Sequence, residues 1–244
     1  MYPSSSRNSG PGALRNASSS ATNPGSIDKL LKGLEPSDSG TPLTTGPLVG
    51  LKFANGVIIA ADKVVYTGFR DRFHDVNRVF KVNDKTIIGI GGNFADFEFI
   101  KRYLDQKVVE DRNELDPESL FNWLSRVMYN RFDNLKPLRL DIVVGGIQDK
   151  EPFLGQIYRS GRAYTRNFVV VTDNGVVSYD ASLKFSDKYS EGRANFDQNE
   201  AIKLTRYEME ILWYYNLRDP KYSQMICTAQ GVQHDENCSA MRPL

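Results

Sequence analysis

The sequence predicts an α+β domain in which sheets pack on one another and helices lie outside. Three observations carry that expectation. Strand patterns come in hairpin-linked groups, two helical patterns follow each other directly, and a late helix runs into a closing strand. Nothing alternates strand and helix as a parallel sheet would require. The 244 residues suffice for one large domain or two small ones, and no internal repeat is present.

The elements follow in order. Residues 1–40 are rich in Ser, Gly, Asn and Pro, with Ile27-Asp28-Lys29-Leu30-Leu31 as their one apolar cluster. Such a stretch buries too little to offset its ordering entropy, which predicts a disordered extension, either a passive tail or a removable propeptide. From Leu48 the chain changes character. Val49, Leu51 and Phe53 alternate as in a half-buried strand. Asn55-Gly56 has the composition of a positive-φ hairpin turn, and Val57–Ala61 is apolar on both faces. Arg78–Val82 and Thr86–Ile90 form a second hairpin about Asn83-Asp84-Lys85.

Asn93, with Asp96 three residues on, predicts a capped helix whose stripe is Phe94, Phe97, Ile100, Tyr103 and Leu104. Asp116-Pro117-Glu118 opens a second, with Leu120, Trp123, Leu124, Val127 and Met128 inward. Strands are expected at Asp141–Gly146 and Phe153–Tyr158. A long helix starts at Asp197 with Glu200 as capping-box partner, and Gln224–Ala229 is the last strand. Residues 232–244 read as a polar tail.

Composition excludes several functions. A net charge of +1 gives no general attraction to nucleic acid or to anionic membranes. No apolar run nears the roughly 18 residues of a membrane span, and the opening Met1-Tyr2-Pro3-Ser4 lacks a secretory pattern. Cytosol or nucleus is the expected compartment, with Cys227 and Cys238 reduced. Gly89-Ile90-Gly91-Gly92 lacks the third glycine and the acidic partner of a dinucleotide fold, so a tight strand-to-helix corner is the better reading. His74 and His234 belong to no ligand set. Asp71 and Asp75 interrupt the basic run around Arg70, Arg72 and Arg78. No cofactor, metal, nucleic acid or membrane partner is expected.

Two blocks then resemble a known family. Lys52-Phe53-Ala54-Asn55-Gly56-Val57-Ile58-Ile59-Ala60-Ala61-Asp62 and the corner Gly89–Asp96 are similar to the opening of core proteasome beta subunits. Tyr129-Asn130-Arg131, Lys136-Pro137-Leu138, Ile142–Gly146, Phe153-Leu154-Gly155, Trp213-Tyr214-Tyr215 and Arg218-Asp219 resemble the seventh beta type. The likeness covers 41–158 and 197–231 and is poor over 159–196. It implies a four-layer alpha-beta-beta-alpha sandwich of the N-terminal-nucleophile hydrolase type, spanning 41–231. It also implies partners: alpha-type and beta-type subunits in stacked seven-membered rings, with unfolded polypeptides cut inside the chamber.

Active members of that family use an exposed N-terminal threonine as nucleophile, with a lysine, an aspartate and a glycine N–H that stabilises the oxyanion. Carried over residue by residue, Asp62 matches the aspartate and Gly92 the oxyanion glycine, while Arg78 replaces the lysine. Gly46 falls at the nucleophile. Asp219 matches a supporting aspartate, and Tyr222 replaces a serine. The resemblance therefore implies a noncatalytic subunit supporting ring assembly for ATP- and ubiquitin-dependent degradation. The alternative is an active threonine peptidase using Thr45 or Thr44, reached by a short slip in register. A third reading is an isolated interaction domain outside any ring. Gly40-Thr41 resembles the bond cut during maturation. The seventh type's long C-terminal arm, which clasps the opposite ring, has only a short counterpart here.

Overall fold

The computed structural model describes residues 42–111, 115–171, 196–216 and 219–241. The expected extension 1–40, the bond Gly40–Thr41, most of the divergent stretch and Arg218 lie outside the described residues.

In chain order the first strands are β1 (Thr44–Thr45), β2 (Leu48–Phe53), β3 (Gly56–Asp62), β4 (Val65–Thr67) and β5 (Arg70–Phe73). Then come β6 (Val79–Asn83), β7 (Thr86–Gly92), helix α1 (Phe94–Glu110) and helix α2 (Pro117–Asp133). After them run β8 (Leu140–Gln148), β9 (Glu151–Ile157), β10 (Ala163–Thr165) and β11 (Phe168–Val171). Helix α3 (Gln198–Asn216) leads to β12 (Lys221–Thr228) and β13 (Gly231–Ser239). The strands make two five-stranded antiparallel sheets, ordered β10-β9-β8-β7-β6 and β11-β2-β3-β12-β13, and a small sheet β1-β4-β5.

β3 explains the layering. All seven of its residues are buried, as its doubly apolar pattern requires. Val57, Ile59 and Ala61 face the other sheet, packing with Ile87, Val143 and Leu154. Ile58 and Ala60 face α3, against Ala201 and against Met209 and Leu212 respectively. Helices α1 and α2 cover the far side of the β6–β10 sheet. The result is the expected α+β sandwich of two sheets between helices. No helix among the described residues is long and apolar enough to cross a membrane.

Several local expectations are corrected. The first hairpin turns at Ala54-Asn55, and neither Asn55 nor Gly56 has positive φ. Gly56 is there for space: a Cβ would lie 2.4 Å from the Cys227 carbonyl oxygen. The positive-φ pair sits instead at Asp149-Lys150 (φ 49° and 72°), between β8 and β9. Asn93 caps α1 through Ala95 and Asp96 N–H, but the Asp96 carboxylate turns away to accept from Arg139 N at 2.8 Å. The polar tail is also corrected, since residues 231–239 form β13, paired along β12. Its residues are mostly exposed, so an edge strand there carries no apolar alternation to betray it.

Candidate functional site

The candidate site forms where the ends of β3 and β7 meet the link between β1 and β2. Arg78, just ahead of β6, is fully buried. Its guanidinium forms an ion pair with the Asp62 carboxylate, itself 4% exposed. Nη2 also donates to Pro47 O (2.8 Å) and Asp62 O (3.1 Å), Nε to Asp62 O (3.2 Å), and Nη1 to Ile90 O (3.2 Å). A planar fork of five donors suits this arrangement, and the compact ammonium of lysine does not. The side chain thus ties the end of β3, strand β7 and the approach to β2 into one knot.

Gly46 lies against that knot. A Cβ on residue 46 would fall 1.9 Å from Asp62 Oδ2 and 2.5 Å from its carboxyl carbon. The carboxylate occupies the space a side chain there would need. Gly92, the corner glycine, has φ +115°, and its missing Cβ would meet Arg139 O at 2.2 Å. Both facts require glycine.

The preceding residue reaches the other half of the site. Thr45 Oγ1 accepts from Gly92 N at 2.8 Å and donates to Gly92 O at 3.1 Å. Thr44 forms a bridge with Asn93, and Phe94 N donates to Leu43 O at 2.9 Å. On the opposite edge Thr44 pairs with Tyr66 and Thr45 with Val65. Residues 43–45, which include β1, are therefore laid between β4 and the Gly92–Phe94 corner. They fill in cis a slot with hydrogen-bonding backbone on both sides. Residue 46 faces Asp62 while residue 45 faces Gly92, so no single side chain serves both halves.

The remaining expected residues are more peripheral. Asp219 accepts from Lys221 N at 2.9 Å and shares a narrow crevice with Asp62, Pro47 and Trp213. His74, which no sequence pattern singles out, has Nδ1 3.9 Å from Asp219 Oδ2. Tyr222 pairs with Asp62 across β12 and β3, but its ring belongs to the apolar cluster under α3 with Val49, Met209 and Leu212. Burial there pushes its hydroxyl pKa far up, and the neighbouring Cys238 adds to the shift. Sequence reasoning missed β1, because two adjacent threonines carry no periodic signal.

A family model described as Proteasome subunit matches residues 44–212. The chain is 38% identical over 196 residues to Proteasome subunit beta type-4 of Drosophila melanogaster, covering 77% of this chain and 72% of that one. It is 34% identical to Proteasome subunit beta type-4 of Xenopus laevis, covering 79% and 81%. It is 31% identical to the Probable proteasome subunit beta type-7 of Schizosaccharomyces pombe, covering 82% and 79%.

Proposed function

We propose that this chain, which belongs to the proteasome beta subunit family, is a noncatalytic member of the core particle that serves protein degradation as wall and scaffold. The observation that carries this reading is the Asp62 carboxylate standing where a side chain on Gly46 would go. A threonine nucleophile is absent at that position, and its space is taken. Loss of a nucleophile costs orders of magnitude in rate.

Two further features support it. Arg78 spends its guanidinium on one carboxylate and three backbone carbonyls, and arginine does not give up a proton near neutral pH. The Gly92 N–H, the oxyanion donor in the family's active members, is already engaged by Thr45. In this role the chain takes its place among alpha-type and beta-type subunits in stacked seven-membered rings. It helps enclose the chamber where neighbours cut unfolded polypeptides, in the cytoplasm and nucleus. Residues 1–40 serve as a propeptide trimmed at Gly40–Thr41.

One observation favours the second reading, an active peptidase using Thr45: its hydroxyl lies beside the Gly92 amide. That oxygen, however, sits on the oxyanion donor instead of facing it across a substrate carbonyl. A covalent probe for N-terminal threonines, applied to assembled particles, separates the two. Labelling of neighbouring subunits but not of this chain is expected; labelling of this chain would establish the peptidase.

A further inference from the structure

The described residues form a roomy groove whose lining includes none of Gly46, Asp62, Arg78 and Gly92. It has a volume of roughly 690 Å³ and opens where β10 and β11, the outermost strands of the two sheets, lie at its wall. Arg159, Arg162 and Arg166 line it together with Tyr158, Tyr164 and Asp141. The three arginines are exposed. Among the described residues none of them makes an ion pair. Arg166 stacks over the Tyr164 ring at 4.9 Å, and Tyr164 meets Tyr158 edge to face at 6.0 Å. Among the described residues, Asp141 is the one carboxylate at the wall. Burial raises its pKa and Arg159 opposes that shift. Among the described residues, three positive charges therefore face one carboxylate.

We propose that this groove docks an extended acidic segment of another polypeptide. Three features select that occupant. The charge imbalance selects carboxylates, which guanidinium groups bind in a two-pronged fashion. The volume is far beyond that of a single inorganic anion and matches several residues of extended chain. The two tyrosines offer aromatic faces for apolar residues between the acidic ones, and among the described residues β10 pairs with β9 alone, the kind of edge an added strand extends. The inference is independent of whether the Gly46 site is catalytic. It rests only on the reading that this chain works beside other polypeptides.

The test uses the purified full chain and fluorescence anisotropy with three labelled peptides of one length. In them glutamate, glutamine or lysine alternates with leucine. The glutamate peptide is expected to bind about tenfold or more tightly than the glutamine peptide, and to weaken as salt rises. Arg159→Glu/Arg166→Glu should remove that preference, and the milder Arg162→Gln should reduce it, with circular dichroism unchanged. Equal binding of the glutamate and glutamine peptides would overturn the proposal, as would a preference that survives the charge reversal. Displacement of the glutamate peptide by inorganic phosphate at equal concentration would overturn it too, since that marks a small-anion site. The threonine probe result does not depend on any of these outcomes.

Discussion

At residue 46 the decisive quantity is 1.9 Å, the gap between an added Cβ and Asp62 Oδ2. A Gly46→Thr variant must push that carboxylate away, and with it the Arg78 guanidinium that holds it. Overpacking of this kind costs about 1–3 kcal/mol. The variant should therefore unfold at lower urea than the parent and still resist a threonine-directed probe, because the hydroxyl arrives in a distorted site. Robust labelling of Gly46→Thr would mean that the surroundings are intact catalytic machinery lacking only an oxygen. Arg78 is tested differently. Removing one partner of a buried pair costs about 3–5 kcal/mol, mostly through the stranded charge. Arg78→Met should fall in that range. Adding Asp62→Asn relieves the stranded carboxylate but not the carbonyls of Pro47, Asp62 and Ile90 that the guanidinium also serves. Less than half of the loss should return; full recovery in urea titrations would show that the backbone contacts contribute little. Asp62, Arg78 and Gly92 were singled out in the sequence through the family resemblance, by carrying the active members' residues over one at a time. What the letters could not give was the side chain's reach: an arginine in place of a lysine reads as charge kept, and only coordinates reveal its donors spent on carbonyls.

Among the elements, the β12–β13 pair is the one the sequence half concealed. β12 was legible in part, as the expected strand Gln224–Ala229, and the structure starts it earlier, at Lys221–Thr228. β13 was not, because its exposed Gln233–Asn237 pattern is also that of a solvated tail, and only pairing with β12 makes it a strand. This pair holds Tyr222, Cys227 and Cys238. Burial is the main cause that lifts the Cys227 thiol to about 11 and the Cys238 thiol to about 12, from an ordinary 9.0. Asp235 adds to the second shift. Tyr222 is raised as well, also chiefly by burial. All three groups hold their protons more tightly folded than unfolded. The stability they contribute is complete below the unfolded thiol value near 9.0 and is lost as pH climbs toward 11 and 12. The melting temperature should thus fall steeply across that alkaline window, and Cys227→Ala/Cys238→Ala should fall less steeply over the same range. Parallel curves for the two proteins would contradict the assignment. The hairpin turns carry a related lesson. Asn55-Gly56 had the right letters for positive φ, yet close approach of the Cys227 carbonyl dictated that glycine, while Asp149-Lys150 took the left-handed turn with no glycine at all.

For the molecule as a whole, the layer order was readable because β3 is apolar on both faces and the helices are apolar on one. Strand β1 was not, because its partners lie about 20 and 50 residues further on. That strand bears on how the chain matures. From Leu43 onward the backbone is committed: Leu43 O accepts from Phe94 N, Thr44 pairs with Tyr66 and Asn93, and Thr45 is bonded on both sides of Gly92. A protease needs its target segment free and extended, so trimming in the folded state is confined to residues ahead of Leu43, consistent with a cut at Gly40–Thr41. On the proposed reading, residue 46 offers no hydroxyl for self-cleavage, and the cut falls to an active neighbour. Intact-mass measurement on purified core particles should give a chain starting at Thr41, and the uncut precursor should accumulate when the neighbours' threonines are blocked during assembly. A mature chain that retains Met1 rejects trimming altogether. A start within 44–53 would require β1 or β2 to leave the sheet, and a cut that persists with every neighbour blocked would return the nucleophile to this chain.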